Sequence, residues 1–357
     1  MKEKTHPGIG KIFARILLLL VAAVLLFSLA VVGAVGVLLM GPSTEARRIF
    51  TLSCEESSAL KFVPRIFLRE DVYEDILHPE EAEAEPFREL PYAPGAELPR
   101  EEELSSSENT PPKEGADRVF DSHGIAIDEI RGKSYKGKMM LVSNPKQVIV
   151  GTLDEYGYDK EGLFLYEFLE KYGAVGGTNA GGFDDPGGFG LGGMADGIVI
   201  RDGEIVCGSE ETSYQNYLGF DEEGILHVGS GTGEEILKLG VRSGVSFTMG
   251  RTLIQDGRRY ENLGGGVNPR TALGQRADGT VLLLVIEGRH PGSLGASYDD
   301  LAEEMEKYGA VNAGMLDGGS SSIMYYEGEQ ITRGSNIVGM RQLATSILVL
   351  SEAENNG

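Results

Sequence analysis

Asn268-Pro269-Arg270-Thr271-Ala272-Leu273-Gly274, then Val281-Leu282-Leu283-Leu284-Val285-Ile286-Glu287-Gly288-Arg289 and, one helix later, Leu316-Asp317-Gly318-Gly319-Ser320-Ser321-Ser322 carry the architecture of this chain. The apolar run from Val281 to Ile286 has no alternation, which predicts a strand buried on both faces with the charged triplet emerging at its end. Asp299-Asp300-Leu301 opens a helix that places Leu301, Met305 and Tyr308 on one face and stops at Gly309. A second strand, Ala310 to Leu316, then delivers Asp317 into a glycine turn. Asp-Gly alone is an ordinary turn signal. Two arginines and two carboxylates at the ends of apolar segments make a ligand site the stronger reading, since strand ends are where sheets hold ligands.

Upstream, Glu170-Lys171-Tyr172-Gly173-Ala174-Val175 returns as Glu306-Lys307-Tyr308-Gly309-Ala310-Val311, each copy closing a helix and opening an apolar segment. The first copy leads to Thr178-Asn179-Ala180-Gly181-Gly182-Phe183. Asn179 lies six residues past Gly173 and Asp317 eight past Gly309, even offsets that give both side chains the same parity in extended strands. If the two units pack side by side, Asn179 and Asp317 meet at one end of a sheet. Gly124 to Asp128, Lys138 to Val142 and Lys146 to Thr152 read as strands, and Leu163 to Tyr172 as a helix. Asp202-Gly203, Asp256-Gly257 and Asp278-Gly279 read as hairpin turns. The glycine-rich loop after Asp184-Asp185-Pro186 is a rim and not a dinucleotide loop, because strand-like Ile198 to Ile200 follows it. The expected class is α+β, a strand-rich mixed-sheet domain with a few packed helices, preceded by one N-terminal transmembrane helix.

The order along the chain is a cytoplasmic tail (1–15), a membrane anchor (16–41), a helical juxtamembrane stalk (42–78), an acidic linker (79–118), a catalytic domain (119–351) and a short tail (352–357). Ile16 to Gly41 is apolar enough to span the hydrocarbon core. Lys2, Lys4, Lys11 and Arg15 precede it, which puts the N-terminus in the cytoplasm and the rest outside. From Thr51 to Ile76 the pattern is that of an amphipathic helix lying against the bilayer or the domain. The Glu-, Pro- and Ser-rich stretch from Pro79 to Ala116 has too few apolar groups to build a core. The 357 residues carry a formal charge of -23, which excludes nucleic acid as a natural partner. Cys54 and Cys207 allow a single disulfide outside the cytoplasm. The five histidines are scattered singly, which argues against zinc.

Asn-Pro-Arg-Thr-Ala, a buried strand ending in acid-Gly-Arg, and Leu-Asp-Gly-Gly-Ser-Ser-Ser together resemble the phosphodiester glycosidase family, over about Val119 to Leu350. That family takes in an enzyme removing N-acetylglucosamine from a sugar phosphodiester and many bacterial exopolysaccharide biosynthesis proteins. The resemblance implies a membrane-anchored hydrolase acting outside the cell on an N-acetylhexosamine 1-phosphodiester, and it places the Asn-x-Gly-Gly-Phe segment in the active site. One departure is Glu287, where the family usually has Asp.

Cleavage at the anomeric carbon develops positive charge on the sugar and releases phosphate, so the reaction calls for a carboxylate near the ring and cations around the phosphate. Asp317 is the first candidate for that carboxylate and Glu287 the second. Arg270 and Arg289 suit the phosphate, although a buried arginine is commonly paired with an internal acid. Asn179, with Gly181 and Gly182, would meet sugar hydroxyls or an acetamido group. Gly288, Gly318 and Gly319 would let a ligand approach the backbone, with Ser320 and Ser321 completing an anion pocket. No metal is expected at the site; calcium is the one ion that the carboxylates Asp317, Asp184 and Asp185 would suit. A non-catalytic glycopolymer-binding or scaffold module of an envelope assembly would use the same groove.

Overall fold

The computed structural model describes residues 9–57, 60–77, 119–186, 190–335 and 339–351. The expected acidic linker 79–118 and the last tail 352–357 lie outside these residues. Four helices come first: α1 (Ile9–Met40), α2 (Thr44–Glu55), α3 (Phe62–Phe67) and α4 (Glu70–Leu77). The folded domain then runs through β1 (Ile125–Arg131), β2 (Lys136–Val142), β3 (Val148–Thr152), α5 (Leu165–Tyr172) and β4 (Ala174–Asn179). Its middle part holds β5 (Val199–Arg201), β6 (Glu204–Cys207), β7 (Ser213–Phe220), β8 (Leu226–Thr232), α6 (Gly233–Lys238), β9 (Ser243–Ser246), β10 (Thr252–Gln255) and β11 (Arg258–Arg259). It closes with β12 (Arg270–Arg276), β13 (Val281–Ile286), α7 (Tyr298–Lys307), β14 (Ala310–Leu316), β15 (Met324–Tyr326), β16 (Glu329–Gln330) and β17 (Thr345–Leu350).

These strands make three sheets, ordered β1-β2-β13-β12-β14-β10-β11, β16-β15-β4-β17-β3 and β6-β5-β9-β7-β8. The α+β, strand-rich class is the expected one; the described strand pairs are antiparallel throughout, where mixed pairing was expected. β13 shows why an unbroken apolar run was needed. Val281, Leu283 and Val285 enter a core shared with the other two sheets, while Leu282, Leu284 and Ile286 enter a second core under Leu301, Ala302 and Met305 of α7. All six are fully buried, and each such side chain contributes about 1.5–3 kcal/mol relative to exposure. On the outer side of the second sheet, Leu165, Phe168 and Leu169 of α5 pack with Leu343 and Leu348.

The expected hairpin turns are present, with Asp202 and Gly203 at φ 54° and 79° and Asp256 and Gly257 at 50° and 73°. α7 is capped by Ser297, whose hydroxyl accepts from the Asp300 N–H, two residues before the Asp299 start expected from sequence. The single amphipathic helix expected over Thr51 to Ile76 is instead α2, α3 and α4. Pro64 inside α3 cannot donate to the preceding turn, so a helix can begin around it but not run through it. Cys54 and Cys207 are both free. α1 contains a 28-residue apolar stretch, Phe13–Met40, with the length and composition to cross a membrane. The stalk is no free spacer either, because α2 docks on the folded domain.

Candidate active site

The site forms where the ends of β12, β13 and β14 converge. Asp317 follows β14 directly. Its N–H donates to the Ala180 carbonyl at 2.8 Å and its own carbonyl accepts from Asn179 Nδ2 at 2.6 Å. Asn179 is fully buried, and its Oδ1 accepts from Thr271 Oγ1 at 2.8 Å and from the Ile323 N–H at 3.3 Å. Thr271 Oγ1 also lies 3.2 Å from Ser322 Oγ. A closed polar ladder therefore ties β4, β12 and the Asp317 turn together. Asn179 and Asp317 do meet, but across two sheets and not as neighbours in one, and the Asn179 amide is engaged inside the protein instead of facing a sugar.

The Asp317 carboxyl accepts from the Gly318 N–H at 2.8 Å and from the Ser321 hydroxyl. Loss of hydration pushes its pKa up to about 6, against the lowering by those two bonds and by Arg341, while Asp185 adds to the rise.

Arg270 begins β12 and is 4% exposed. Its Nε donates to the Ala296 carbonyl at 3.1 Å, its Nη2 to the Gly266 carbonyl at 2.6 Å, and its guanidinium stacks 4.4 Å over the Tyr298 ring. The same Nη2 is paired with Glu56 Oε2, so the internal acid of the alternative reading exists. Glu56 caps α2 from more than two hundred residues away. Asn268 Nδ2 donates to Glu56 Oε2 at 2.8 Å and the Gly266 N–H to Oε1 at 2.9 Å. Arg289, at φ 59°, donates from Nη2 to Asn268 Oδ1 at 3.2 Å. Burial and then the neighbouring Arg270 lower the Arg289 pKa, and Glu56 and Asp317 raise it, which places it in the field of all three charges. Cys54 lies in the same region, its thiol pushed up to about 11 by burial.

Glu287 sits beneath this pocket with both oxygens engaged. Oε1 accepts from the Arg333 N–H at 2.8 Å, and Oε2 faces His290 Nε2 at 3.2 Å and Lys136 Nζ at 3.7 Å. His290 Nδ1 accepts from the Gly292 N–H, which leaves the Nε2 proton for Glu287. The expected glycines serve close packing. A Cβ at Gly288 would lie 2.8 Å from Pro269 N and one at Gly318 2.9 Å from Pro269 O, while at Gly181 it would meet Val245 at 2.4 Å and at Gly182 Phe247 at 2.9 Å. Gly319, at φ 63°, faces the Arg289 guanidinium, and its N–H is taken by the Pro269 carbonyl.

Sequence reasoning missed Arg341, which follows no apolar frame. It clamps Asp185 through Nη1 at 2.9 Å and Nη2 at 2.7 Å, and approaches Ser320 Oγ at 3.4 Å. Ser320, Ser321, Arg341, Ile323 and Leu165 line a cavity beside Asp317. Asp184 is exposed and Asp185 is held by Arg341, and among the described residues no three His, Cys, Asp or Glu side chains gather as metal ligands. Glu56 was missed as well, since nothing local distinguishes it from the other acids of a stalk helix.

Comparison with known proteins bears on this arrangement. A protein from Bacillus subtilis (strain 168), the SPbeta prophage-derived uncharacterized protein YomE, is 34% identical over 89 residues, 25% of this chain and 14% of that protein. The chain thus matches about a seventh of that relative's length. Among solved structures, the zebrafish N-acetylglucosamine-1-phosphodiester alpha-N-acetylglucosaminidase catalytic domain, auto-inhibited by its pro-peptide, aligns with TM-score 0.52 and 20% identity, covering 66% of this chain and 87% of that one. A hypothetical protein from Synechocystis aligns with TM-score 0.46 and 15% identity, covering 64% and 62%. The phosphodiester glycosidase family model matches residues 172–350, which take in Asn179, Arg270, Arg289 and Asp317, and the chain belongs to that family.

Proposed function

We propose that this chain is a membrane-anchored hydrolase of a sugar 1-phosphodiester, with an N-acetylhexosamine as the sugar, acting outside the cell in surface-polysaccharide or wall-polymer metabolism. The observation that carries this reading is the anion already seated in the arginine pocket. The Glu56 carboxylate is held by Arg270, the Asn268 amide and the Gly266 N–H, a donor set that would serve a phosphate diester as well. Asp317 stands beside it, ionised at neutral pH with a pKa of about 6, the range suited to a general base. Water gives its proton to the Asp317 carboxylate and its oxygen to the anomeric carbon. The C–O bond to phosphate breaks, and the leaving oxygen keeps the electron pair under Arg270 and Arg289. Asn179 fixes the Asp317 backbone, and Arg341 holds Asp185 at the rim of the sugar cavity.

Glu56 has to turn out of the pocket before a substrate phosphate can enter, while α2 stays docked through Ser53 Oγ, which accepts from the Val267 N–H at 2.8 Å. In this reading Glu56 plays the part that a pro-peptide plays in the zebrafish domain. Release of reducing sugar from α-N-acetylglucosaminyl phosphodiesters tests the assignment. Wild type should turn over, Asp317→Asn should lose at least about a thousandfold, and Glu56→Ala should lower KM with little change in kcat. Turnover by Asp317→Asn at the wild-type rate would remove the base from the mechanism, and binding of glycopolymer without turnover by wild type would favour a non-catalytic module.

A further inference from the structure

The helices between α1 and the pocket fix where the pocket sits. A stretch of 28 apolar residues is about 42 Å long as a helix, against a hydrocarbon core of about 30 Å. Protein covers one side of the C-terminal end of this stretch: Leu39 is fully buried, a Cβ built at Gly36 would lie 3.7 Å from the Phe67 ring of α3, and Val37 and Met40 stay exposed on the other side. α3 is therefore level with the last turns of α1. Pro64 is buried on the inner side of α3, whereas Phe62 and Ile66, one helical turn apart, are 61% and 67% exposed, and Leu60 just before them is 45% exposed. Lys61 and Arg65 run along one side of this outward apolar face, Lys61 Nζ 3.6 Å from Glu55 Oε1 and the Arg65 guanidinium 4.8 Å over the Tyr73 ring. An apolar face edged by cations beside a membrane-crossing helix is the make-up of a segment lying in the lipid interface.

The other side of this platform leads into the pocket. Arg47 of α2 donates to the Leu39 carbonyl at 2.6 Å and to the Gly41 carbonyl at 2.8 Å, fastening α2 to the end of α1. The 12 residues of α2 then span about 18 Å and end at Glu56 in the arginine pocket. α2 is seated closely: a Cβ at Gly266 would meet Ser53 N at 2.2 Å. The pocket is thus held within about 18 Å of the end of α1, the length of α2, by contacts and not by a free tether.

We propose that α3 beds its Phe62–Ile66 face in the lipid surface and presents the pocket to a glycosyl phosphodiester whose aglycone is anchored in that same membrane. The second half rests on the phosphodiester glycosidase reading given above. The occupant of the α3 face is the bilayer that α1 crosses, because Phe67 makes the two apolar surfaces continuous.

The chain contains no tryptophan, so a single introduced indole reports its own surroundings. Full-length Phe62→Trp and Ile66→Trp, reconstituted in vesicles with acyl chains brominated near the headgroup, should emit in the blue and lose more than half their intensity. Phe27→Trp in α1, read in vesicles brominated near the acyl-chain ends, serves as the bilayer control, and Tyr158→Trp, at a site 80% exposed on the folded domain, as the aqueous one. Water-like, unquenched emission at both α3 positions with Phe27→Trp quenched overturns the interfacial assignment. In the same vesicles, an N-acetylglucosaminyl phosphodiester with a hexadecyl aglycone should turn over at least tenfold better than its methyl counterpart. The double variant Phe62→Glu with Ile66→Glu should lose that advantage and keep its rate on the methyl compound. Equal rates for the two compounds in wild type overturn the lipid-borne substrate. Failure on both compounds counts against the glycosidase reading itself, and the quenching result then still decides the placement of α3.

Discussion

The chain writes the same hexapeptide twice, as Glu170–Val175 and Glu306–Val311, and makes different use of each copy. Both copies end a helix on a left-handed glycine, Gly173 at φ 64° and Gly309 at φ 78°, and both start a strand at the next residue. β4 then lies between β15 and β17 of a five-stranded sheet, and β14 between β12 and β10 of the seven-stranded one. The strands point their ends at each other, so that Asn179 Nδ2 reaches the Asp317 carbonyl and the Asp317 N–H reaches Ala180. One end residue is neutral, fully buried and consumed by internal bonds. The other is an acid beside a cavity with a pKa near 6. The repeated element therefore specifies architecture alone, and the chemistry comes from which end residue keeps a functional atom outside the polar ladder.

The largest effect that can test this contrast comes from Asp317. Its folded pKa of about 6 lies above its unfolded value of 3.8, so the folded state prefers the protonated acid. The destabilisation is absent below about pH 4, grows as pH rises through the interval, and is complete above about pH 6. Asp317→Asn removes that titration. It should be more stable than wild type above pH 6, by about 2 kcal/mol once partial solvent access is discounted, with the gap closing toward pH 4. Wild-type turnover should fall as pH drops through about 6, because the base is lost. Chemical denaturation at pH 4 and pH 8 measures the first part, and a stability gap independent of pH would show that Asp317 ionises without penalty, like an ordinary surface acid.

Asn179→Ala is next in its effect on turnover. It leaves the Asp317 carbonyl, Thr271 Oγ1 and the Ile323 N–H short of partners inside the protein, a loss of about 2–4 kcal/mol. Because the ladder holds the Asp317 backbone, kcat should drop 10- to 100-fold with KM changed much less. If Asn179 instead touches sugar, the variant will show the reverse split, a raised KM with kcat retained, and the contrast between the two strand ends will collapse.

Much of this was legible from residue types. Val281 to Ile286 and Ala310 to Leu316 were bounded to the residue because unbroken apolar runs closed by charge or glycine have few other conformations. The Asp-Gly hairpins followed from the positive φ that these turns require. Residue types also picked out Asn179, Arg270, Arg289 and Asp317 together. The direction of each side chain was not legible. Whether Asn179 faces inward, and whether the Gly288 and Gly318 loops crowd Pro269 or a ligand, depends on how loops from different sheets stack. Glu56 and Arg341 were hidden for the same reason, since their partners Arg270 and Asp185 are distant in sequence and no local period marks the pairing.

The smallest effect bears most directly on the repeated hexapeptide. Gly173→Ala and Gly309→Ala each place a Cβ on a left-handed residue, at a cost of about 1 kcal/mol. Space is not the issue at Gly309, where the nearest atom to an added Cβ is Arg276 Nε at 3.8 Å. The two variants should therefore lose similar stability in urea, and each should keep kcat within about twofold, since a helix stop at the far end of a strand has no contact with the reacting groups. An asymmetric outcome would carry more information. If Gly309→Ala lowers kcat tenfold at unchanged KM while Gly173→Ala does not, the turn before β14 transmits its geometry along seven buried residues to Asp317. The second copy would then be part of the positioning apparatus, and the shared sequence would owe its second use to rigidity as well as to local structure.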